Sequence, residues 1–497
     1  MGCGWPVCLD IIMMLGRDRL GPRAQLVPTK HMAARFQNID RQTVMLLPEC
    51  LQDWLPENDL AHFIIDAVAA LKLEKCTINH RGTGDAQYPP EMMLSLLVYS
   101  YATGIFSSRR IEHATWQNVA VRYLCANTHP DHDTICAFRR RNGPLIQETF
   151  VKILLLAREV KRLKVGTVSI DGTKVHASAS KHAANSYGKT GELIATLENE
   201  VKELMAKAED ADSTPLEDGL SIPQEIARRE TRKAQLQAAR EVIEARARER
   251  AAAEKAERSA ALEERAARLA RGEKLKGKAP AGPESVDETP AASDQYNYTD
   301  PESRIMKSGS GFEQSYNAQA VVEIESRLII GQRVSDAPND KEQLLPTLAG
   351  IPVELGKPTR ALTDSGYYSE AAVAAAESPG EDGSAGVEII AATQKKGHYR
   401  SVADLERKDD PPPPGPEATA KERMIHRTAT KAGKEIYKQR QQTVEPVFGI
   451  IKAAMGFRSF LLRGMEKVGL EWGLVSLAYN VRRLHTLGMG AKLRARA

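Results

Sequence analysis

The sequence predicts an α/β protein in which an all-α N-terminal region precedes a sheet-and-helix core, and a long charged helical insertion interrupts that core. Three observations carry this reading. Helix-spaced apolar runs fill Leu46 to about Arg162. Alternating runs with β-branched residues begin only near Gly166, stop, and return at Asn317. Between them lies a stretch rich in Ala, Glu, Arg and Lys. The expected boundaries are a disordered or spurious extension over 1–31, an all-α region over 32–163, a core over 164–190 and 296–488, an insertion and linker over 191–295, and a basic tail over 489–497.

A chain of 497 residues is too long for one ordinary core. No run of about 18 apolar residues occurs, so neither a transmembrane helix nor a membrane partner is expected. The net charge of +4 excludes a strongly polybasic protein but leaves room for local basic patches. The cysteines, Cys3, Cys8, Cys50, Cys76, Cys125 and Cys136, are scattered without a C-x-x-C pair. They read as reduced thiols in the cytoplasm. The apolar patch Cys8–Leu15 has no basic region before it, so it is not read as a signal peptide, and Met32 opens the first well-patterned stretch.

In the N-terminal region, Pro56 precedes an apolar helix over Leu60–Leu71, and Pro89-Pro90 start a second over Glu91–Tyr101. Ser107–Trp116 is a third helix with a serine cap. Asp131–Arg141 is a fourth, capped by Asp131 or Asp133 and ending on three arginines, and Leu145–Lys161 is a fifth. Short helices joined by tight turns suit a helix-turn-helix-like DNA-binding domain, with Arg139, Arg140 and Arg141 on phosphates or base edges. The plainer reading of those arginines is a basic helix end facing water. Cys125, His129, His132 and Cys136 approach zinc spacing but match no common finger.

The core opens with Gly166–Val175, a strand expected to end on Asp171, where Gly172 turns the chain. Glu192–Ala208 and Gln224–Arg271 read as the two helices of an inserted hairpin with an alanine-rich seam, followed by a flexible linker over 273–299. Asn317–Ile324 and Leu328–Val334 form a β-hairpin. A helix over Asp340–Leu348, a strand over Thr359–Asp364, a helix over Ser369–Ala376 and a strand over Val387–Ala391 follow. After a Pro411–Pro414 loop, Lys434–Met455 and Met465–Leu484 are closing helices.

Asp171 and Asp364 both end apolar runs and both precede a glycine, Gly172 or Gly366. On a helix at 100° per residue, Gln441, Glu445, Phe448, Gly449 and Lys452 share one face, with Tyr437 at its edge and Arg440 beside it. Pro446 marks a kink or a fresh start there. Strand-acid, hairpin, helix, strand-acid, helix, strand, helix-acid is the ribonuclease H-like order. Three carboxylates from separate elements of such a sheet converge to hold two divalent ions, and oxygen ligands suit Mg²⁺ or Mn²⁺. Phosphate-ester cleavage needs very large acceleration, beyond the ~10²–10⁴ of one general base, so charge neutralisation by metal is expected.

These residues resemble a family. Ser169–Lys174, Asp300–Lys307 with Gly311–Gln319, Thr363–Tyr368, and Val444–Lys452 with Gly456–Phe460 look like the motifs of bacterial insertion-sequence DDE transposases, in the group with a Tyr-Arg-Glu-Lys signature. Pro130–Ile135 resembles the family's N-terminal domain, and the likeness spans about Met32 to Leu484 without the insertion. It implies that Asp171, Asp364 and Glu445 are the catalytic, metal-binding triad, and that Tyr437, Arg440 and Lys452 hold transposon-end phosphates. It implies double-stranded DNA as partner, at transposon ends and target, a homodimer in the synaptic complex, and a nucleoid-associated location. The signature places three residues between Arg and Glu; here 441–444 intervene, whereas Lys452 keeps its expected distance from Glu445. The expected reaction is cleavage at terminal inverted repeats and strand transfer by transesterification. The alternatives are a ribonuclease H-like nuclease without strand transfer and a repressor derived from an inactive transposase. Arg304, Lys307 and Asn317 either approach the site or DNA or are held by local bonds, and His176 and His182 read as surface or loop residues.

Overall fold

The computed structural model describes residues 50–77, 86–210, 221–272, 279, 281–309, 311–379, 385–393, 409–415 and 417–490. The 1–31 extension and residues 491–497 of the basic tail lie outside them. The chain is mixed α/β. Six helices come first: α1 (Leu60–Ala69), α2 (Pro90–Ala102), α3 (Ser108–Gln117), α4 (Val119–Leu124), α5 (His132–Arg141) and α6 (Gly143–Glu159). Five match the expected helices. The sixth, α4, is too short for a periodic signal, and Asn118 caps it by accepting from the Val121 N–H. Asp131 caps α5 through the Thr134 N–H.

The strands are β1 (Thr167–His176), β2 (Ala184–Ser186), β3 (Gln295–Asn297), β4 (Arg304–Ser308), β5 (Gly311–Glu323), β6 (Ile329–Ser335), β7 (Arg360–Thr363) and β8 (Glu388–Ala391). The main sheet runs β4-β5-β1-β7-β8, and β6 also pairs with β5. β1 is antiparallel to β5 but parallel to β7, and β7 is parallel to β8. The first part of β5 carries β4 on its outer edge and the later part carries β6.

Asp171 is not the last residue of its strand. β1 continues to His176 because β5 keeps pairing with it, as far as His176 opposite Ser315. What ends at this level is β7, whose pairing with β1 stops at Ser169 opposite Leu362. Continued in register, Asp171 stands level with Asp364. Gly172 is likewise no turn. A Cβ there would lie 2.3 Å from Gln319 Nε2 and 2.7 Å from Asn317 Oδ1, so the glycine admits a close approach from β5.

The insertion leaves and returns through the two-stranded β2–β3 ladder. It consists of α7 (Tyr187–Asp210) and α8 (Ile222–Ala270), the expected helical hairpin. α8 buries Leu236, Ala239, Ile243, Ala247 and Ala251, a narrow seam at helical spacing.

In the second half, α9 (Leu344–Leu348) is shorter than expected because Pro346 is tolerated only in a first turn. α10 (Glu370–Glu377), α11 (Ala420–Ala429) and α12 (Lys431–Lys438) follow. The single helix expected over Lys434–Met455 is broken. Backbone turns close at Gln439–Thr443, α13 (Val444–Gly449) starts afresh with Pro446 in its first turn, and a π-helical turn covers Ile450–Ala454. The last helix, α14 (Met465–Thr486), is almost wholly buried. Its Trp472 donates to the Gln319 carbonyl on β5, and its Asn480 side chain exchanges two hydrogen bonds with Ile329 on β6. α14 also packs on α2 and α6. One apolar cluster therefore runs from the N-terminal helices through α14 into the sheet.

Candidate active site

The site begins where β7 stops. Asp171 on β1 is mostly buried, and its carboxylate accepts from the Gly172 N–H at 2.8 Å and from Arg440 Nη1 at 3.3 Å. Burial and the neighbouring charge of Asp364 push its carboxyl up to about 7, with Asp340 adding to the rise and Gly172 and Arg440 opposing it. Asp171 and Asp364 thus share one electrostatic environment.

Glu445 lies at the other end of the same guanidinium. Arg440 Nη2 is 3.6 Å from its Oε1, and the Glu445 side chain is 54% exposed. Sequence periodicity put Tyr437, Arg440, Glu445 and Lys452 along one helix. The structure instead places Tyr437 on α12, Arg440 in the following turn and Glu445 on α13. The Thr443 N–H to Arg440 carbonyl bond closes that turn, so the extra residue between Arg440 and Glu445 is absorbed and Arg440 still reaches both acids. Its guanidinium carbon lies 6.0 Å from the Tyr437 ring centroid. Burial raises the Tyr437 hydroxyl pKa despite Arg440, which opposes the rise. Lys452, in the π-helical turn, donates to the Lys174 carbonyl on β1 at 2.8 Å.

Behind Asp171 stands a polar network of which sequence reasoning singled out only Asn317, as a residue that could approach the site. Asp340 Oδ1 accepts from Asn317 Nδ2 and from Gln319 Nε2, both at 2.7 Å, and Lys174 Nζ is 4.0 Å away. Tyr367 donates to Gln319 Oε1. A strut of side chains therefore joins the segment after Asp364 to β5, next to the strand of Asp171. Tyr367 and Lys174 lie within quoted motifs, and Gly172 marks the crowding, but Asp340 gave no periodic signal.

Other expected residues lie elsewhere. Arg139 is buried, and its Nη1 donates to the Tyr101 hydroxyl at 2.8 Å; Tyr101 in turn faces Glu471 of α14. Of the three arginines expected on phosphates or base edges, Arg140 and Arg141 are exposed, whereas Arg139 is turned inward and ties α5 to α14. Arg304 pairs with Asp336, and Lys307 is exposed. His176 closes β1 against Arg458 and Phe460, and His182 sits in an exposed 3₁₀ turn over Lys181–Ala183. The Cys125–Cys136 segment is not built around a metal: His129 bonds Thr115, His132 bonds Glu112 and Cys125 is buried. Among the described residues no group of three or more His, Cys, Asp or Glu is arranged to hold a metal ion.

Residues 415–485 match the family described as transposase DDE domain, and residues 49–141 match that described as transposase domain (DUF772). The chain is an insertion-sequence transposase of the DDE type. The first match contains Tyr437, Arg440, Glu445 and Lys452, and the second contains the helices up to α5. Neither includes Asp171 or Asp364. No curated protein and no solved structure matches the chain. The transposase is an enzyme acting on DNA, and among its described residues no helix is long and apolar enough to cross a membrane.

Proposed function

We propose that this transposase binds terminal inverted repeats, cuts the strand there to free a 3′-hydroxyl, and joins that hydroxyl to target DNA. Water is the first nucleophile and the 3′-hydroxyl the second. Each attack breaks one phosphodiester and releases one sugar oxygen, with no covalent protein–DNA bond. The observation that carries this is Arg440 lying between Asp171 and Glu445, at the level where Asp364 follows the end of β7.

Asp171, Asp364 and Glu445 are the catalytic acids of this reading. The order β6-β5-β1-β7-β8, with antiparallel pairs on one side of β1 and parallel pairs on the other, supports a ribonuclease H-like core. The expected boundaries over 32–163 and 191–295 fit a DNA-binding region and an inserted arm.

By donor chemistry the acids suit a pair of divalent ions, Mg²⁺ or Mn²⁺, although among the described residues they are not drawn together into a ready site. Asp171 is pushed up by burial first and then by the negative charge of Asp364 and Asp340, and hard carboxylate oxygens are what such ions take. Asp171, Asp364 and Glu445 would hold them. When bound, the ions supply charge neutralisation and a nucleophilic oxygen at neutral pH. Tyr437, Arg440 and Lys452 hold phosphates of the transposon end, and Arg140 and Arg141 add outer contacts. The working assembly is a homodimer on paired ends, in the cytoplasm at the nucleoid. The test is strand cleavage of terminal-repeat duplex with Mg²⁺. Cutting that survives Asp364→Asn, or proceeds fully in chelator, rules this function out.

A further inference from the structure

The exposed arginines that sequence reasoning assigned to DNA lie on α5, yet α5 is mostly packed and presents only its C-terminal Arg140 and Arg141 as exposed basic groups. α3 is different. At 100° per residue, Trp116, Arg109, His113, Gln117 and Arg110 fall within an arc of about 120°. All five are exposed, and their side chains have no hydrogen-bond or ion-pair partner among the described residues. The opposite side of the helix carries the buried Ile111, Ala114 and Thr115. The acid of α3, Glu112, lies outside the arc and is occupied by His132.

Trp116 gives this face a rigid edge. Its side chain is 62% exposed, an unusual state for an indole. The inner face of the ring is stacked on His129, with centroids 3.4 Å apart and planes 10° apart. His129 is in turn held by the Thr115 hydroxyl at 3.1 Å. The outer face of a braced aromatic plate is thus left to solvent beside Arg109 on the wheel, and neither Arg109 nor Arg110 has a side-chain partner among the described residues.

We propose that the exposed face of α3 is a DNA-reading surface of this transposase, with Arg109 and Arg110 on phosphates or guanine edges, Gln117 on an adenine edge, and Trp116 against a base or a thymine methyl. The chemistry selects DNA over other partners. The arc carries positive charge without an acid, as a polyanion requires. Arg and Gln are the side chains that pair bidentately with guanine and adenine in a major groove, which admits one helix. The inference rests on the proposed function, since it needs a specific DNA end to read.

The test uses the full-length chain in fluorescence anisotropy. The probes are short duplexes from the DNA flanking the gene, against scrambled duplexes of equal composition. Removing both arginines (R109A with R110A) should weaken end binding at least about ten-fold and lower the slope of log affinity against log salt by about two. Trp116→Ala should shrink the preference for end over scrambled duplex while leaving the salt slope in place. Thermal melting of the double-arginine variant should stay at the wild-type value, because both side chains are exposed. Wild-type affinity and slope in the double-arginine variant overturn the proposal. So does loss of a dimer by light scattering with DNA binding intact, which would assign the face to a second copy of the chain. If the wild type itself does not prefer the flanking duplexes, the proposed function falls first and this inference with it.

Discussion

Arg440 donates to Asp171 from a turn 269 residues further along the chain, and its second terminal nitrogen faces Glu445. A guanidinium spans two carboxylates because its donors are spread over a rigid plane; an ammonium is a point charge and does not. Arg440→Lys should therefore behave like Arg440→Ala in single-turnover cleavage, both falling by about ten-fold or more, as for loss of one charge-assisted contact. Substantial activity in the lysine variant would show that charge alone suffices.

Asp171 sets a pH dependence of stability. Its folded carboxyl is raised to about 7, so the folded state holds a proton that the unfolded state has already released. Without added metal, stability should fall as pH rises from about 4 to about 7. Asp171→Asn removes the penalty and should melt higher than wild type at pH 8, by at most a few kcal/mol at about 1.4 kcal/mol per pH unit. The gap should close below pH 4. Mg²⁺ should raise the melting point of the wild type more than that of the variant. Equal melting curves at pH 8 would remove Asp171 as a strained acid.

Arg139 and Arg140 are neighbours with opposite fates. Arg139→Ala leaves Tyr101 and Glu471 without their buried cation and should cost about 2–4 kcal/mol by denaturant unfolding. Arg140→Ala should change stability by less than about 0.5 kcal/mol. Equal effects would contradict the inward placement of Arg139.

Gly172→Ala tests the strut behind Asp171. The added methyl would meet Gln319, Asn317 and Asp340, all within 2.9 Å, and should cost about 1–3 kcal/mol and slow cleavage. Gly166→Ala on the same strand approach meets nothing within 4 Å and serves as the control. Gln319→Leu should slow cleavage more than it lowers end affinity, because it cuts the link from Tyr367 to Asp340 without touching an exposed surface.

Much of the fold was legible because its elements carry strong periodicity. Helices such as α2, with Pro90 at its start, and strands such as β8 announce themselves locally. Asp171 and Asp364 were visible because each ends an apolar run beside a glycine. The length of β1 was not legible, since it depends on how far β5 accompanies it. Nor was the break after Lys438: Pro446 hinted at a restart, but the turn around Arg440 is fixed by contacts with Asp171 across the sheet. Asp340 stayed hidden because its partners, Asn317 and Gln319, lie on another strand. Arg139 looked like its neighbours because local sequence does not say which of three consecutive arginines faces Tyr101.

The β2–β3 ladder has a bearing on ancestry. It zips Ala184 to Asn297 and Ser186 to Gln295, so the exit and the return of the arm sit about 5 Å apart. A single in-frame gain or loss of coding DNA at that point would add or delete the whole α7–α8 cassette and leave the register of β1 against β5 as it was. The arm, about 74 Å along α8, can therefore differ in length at its far end without retuning the carboxylates beneath it.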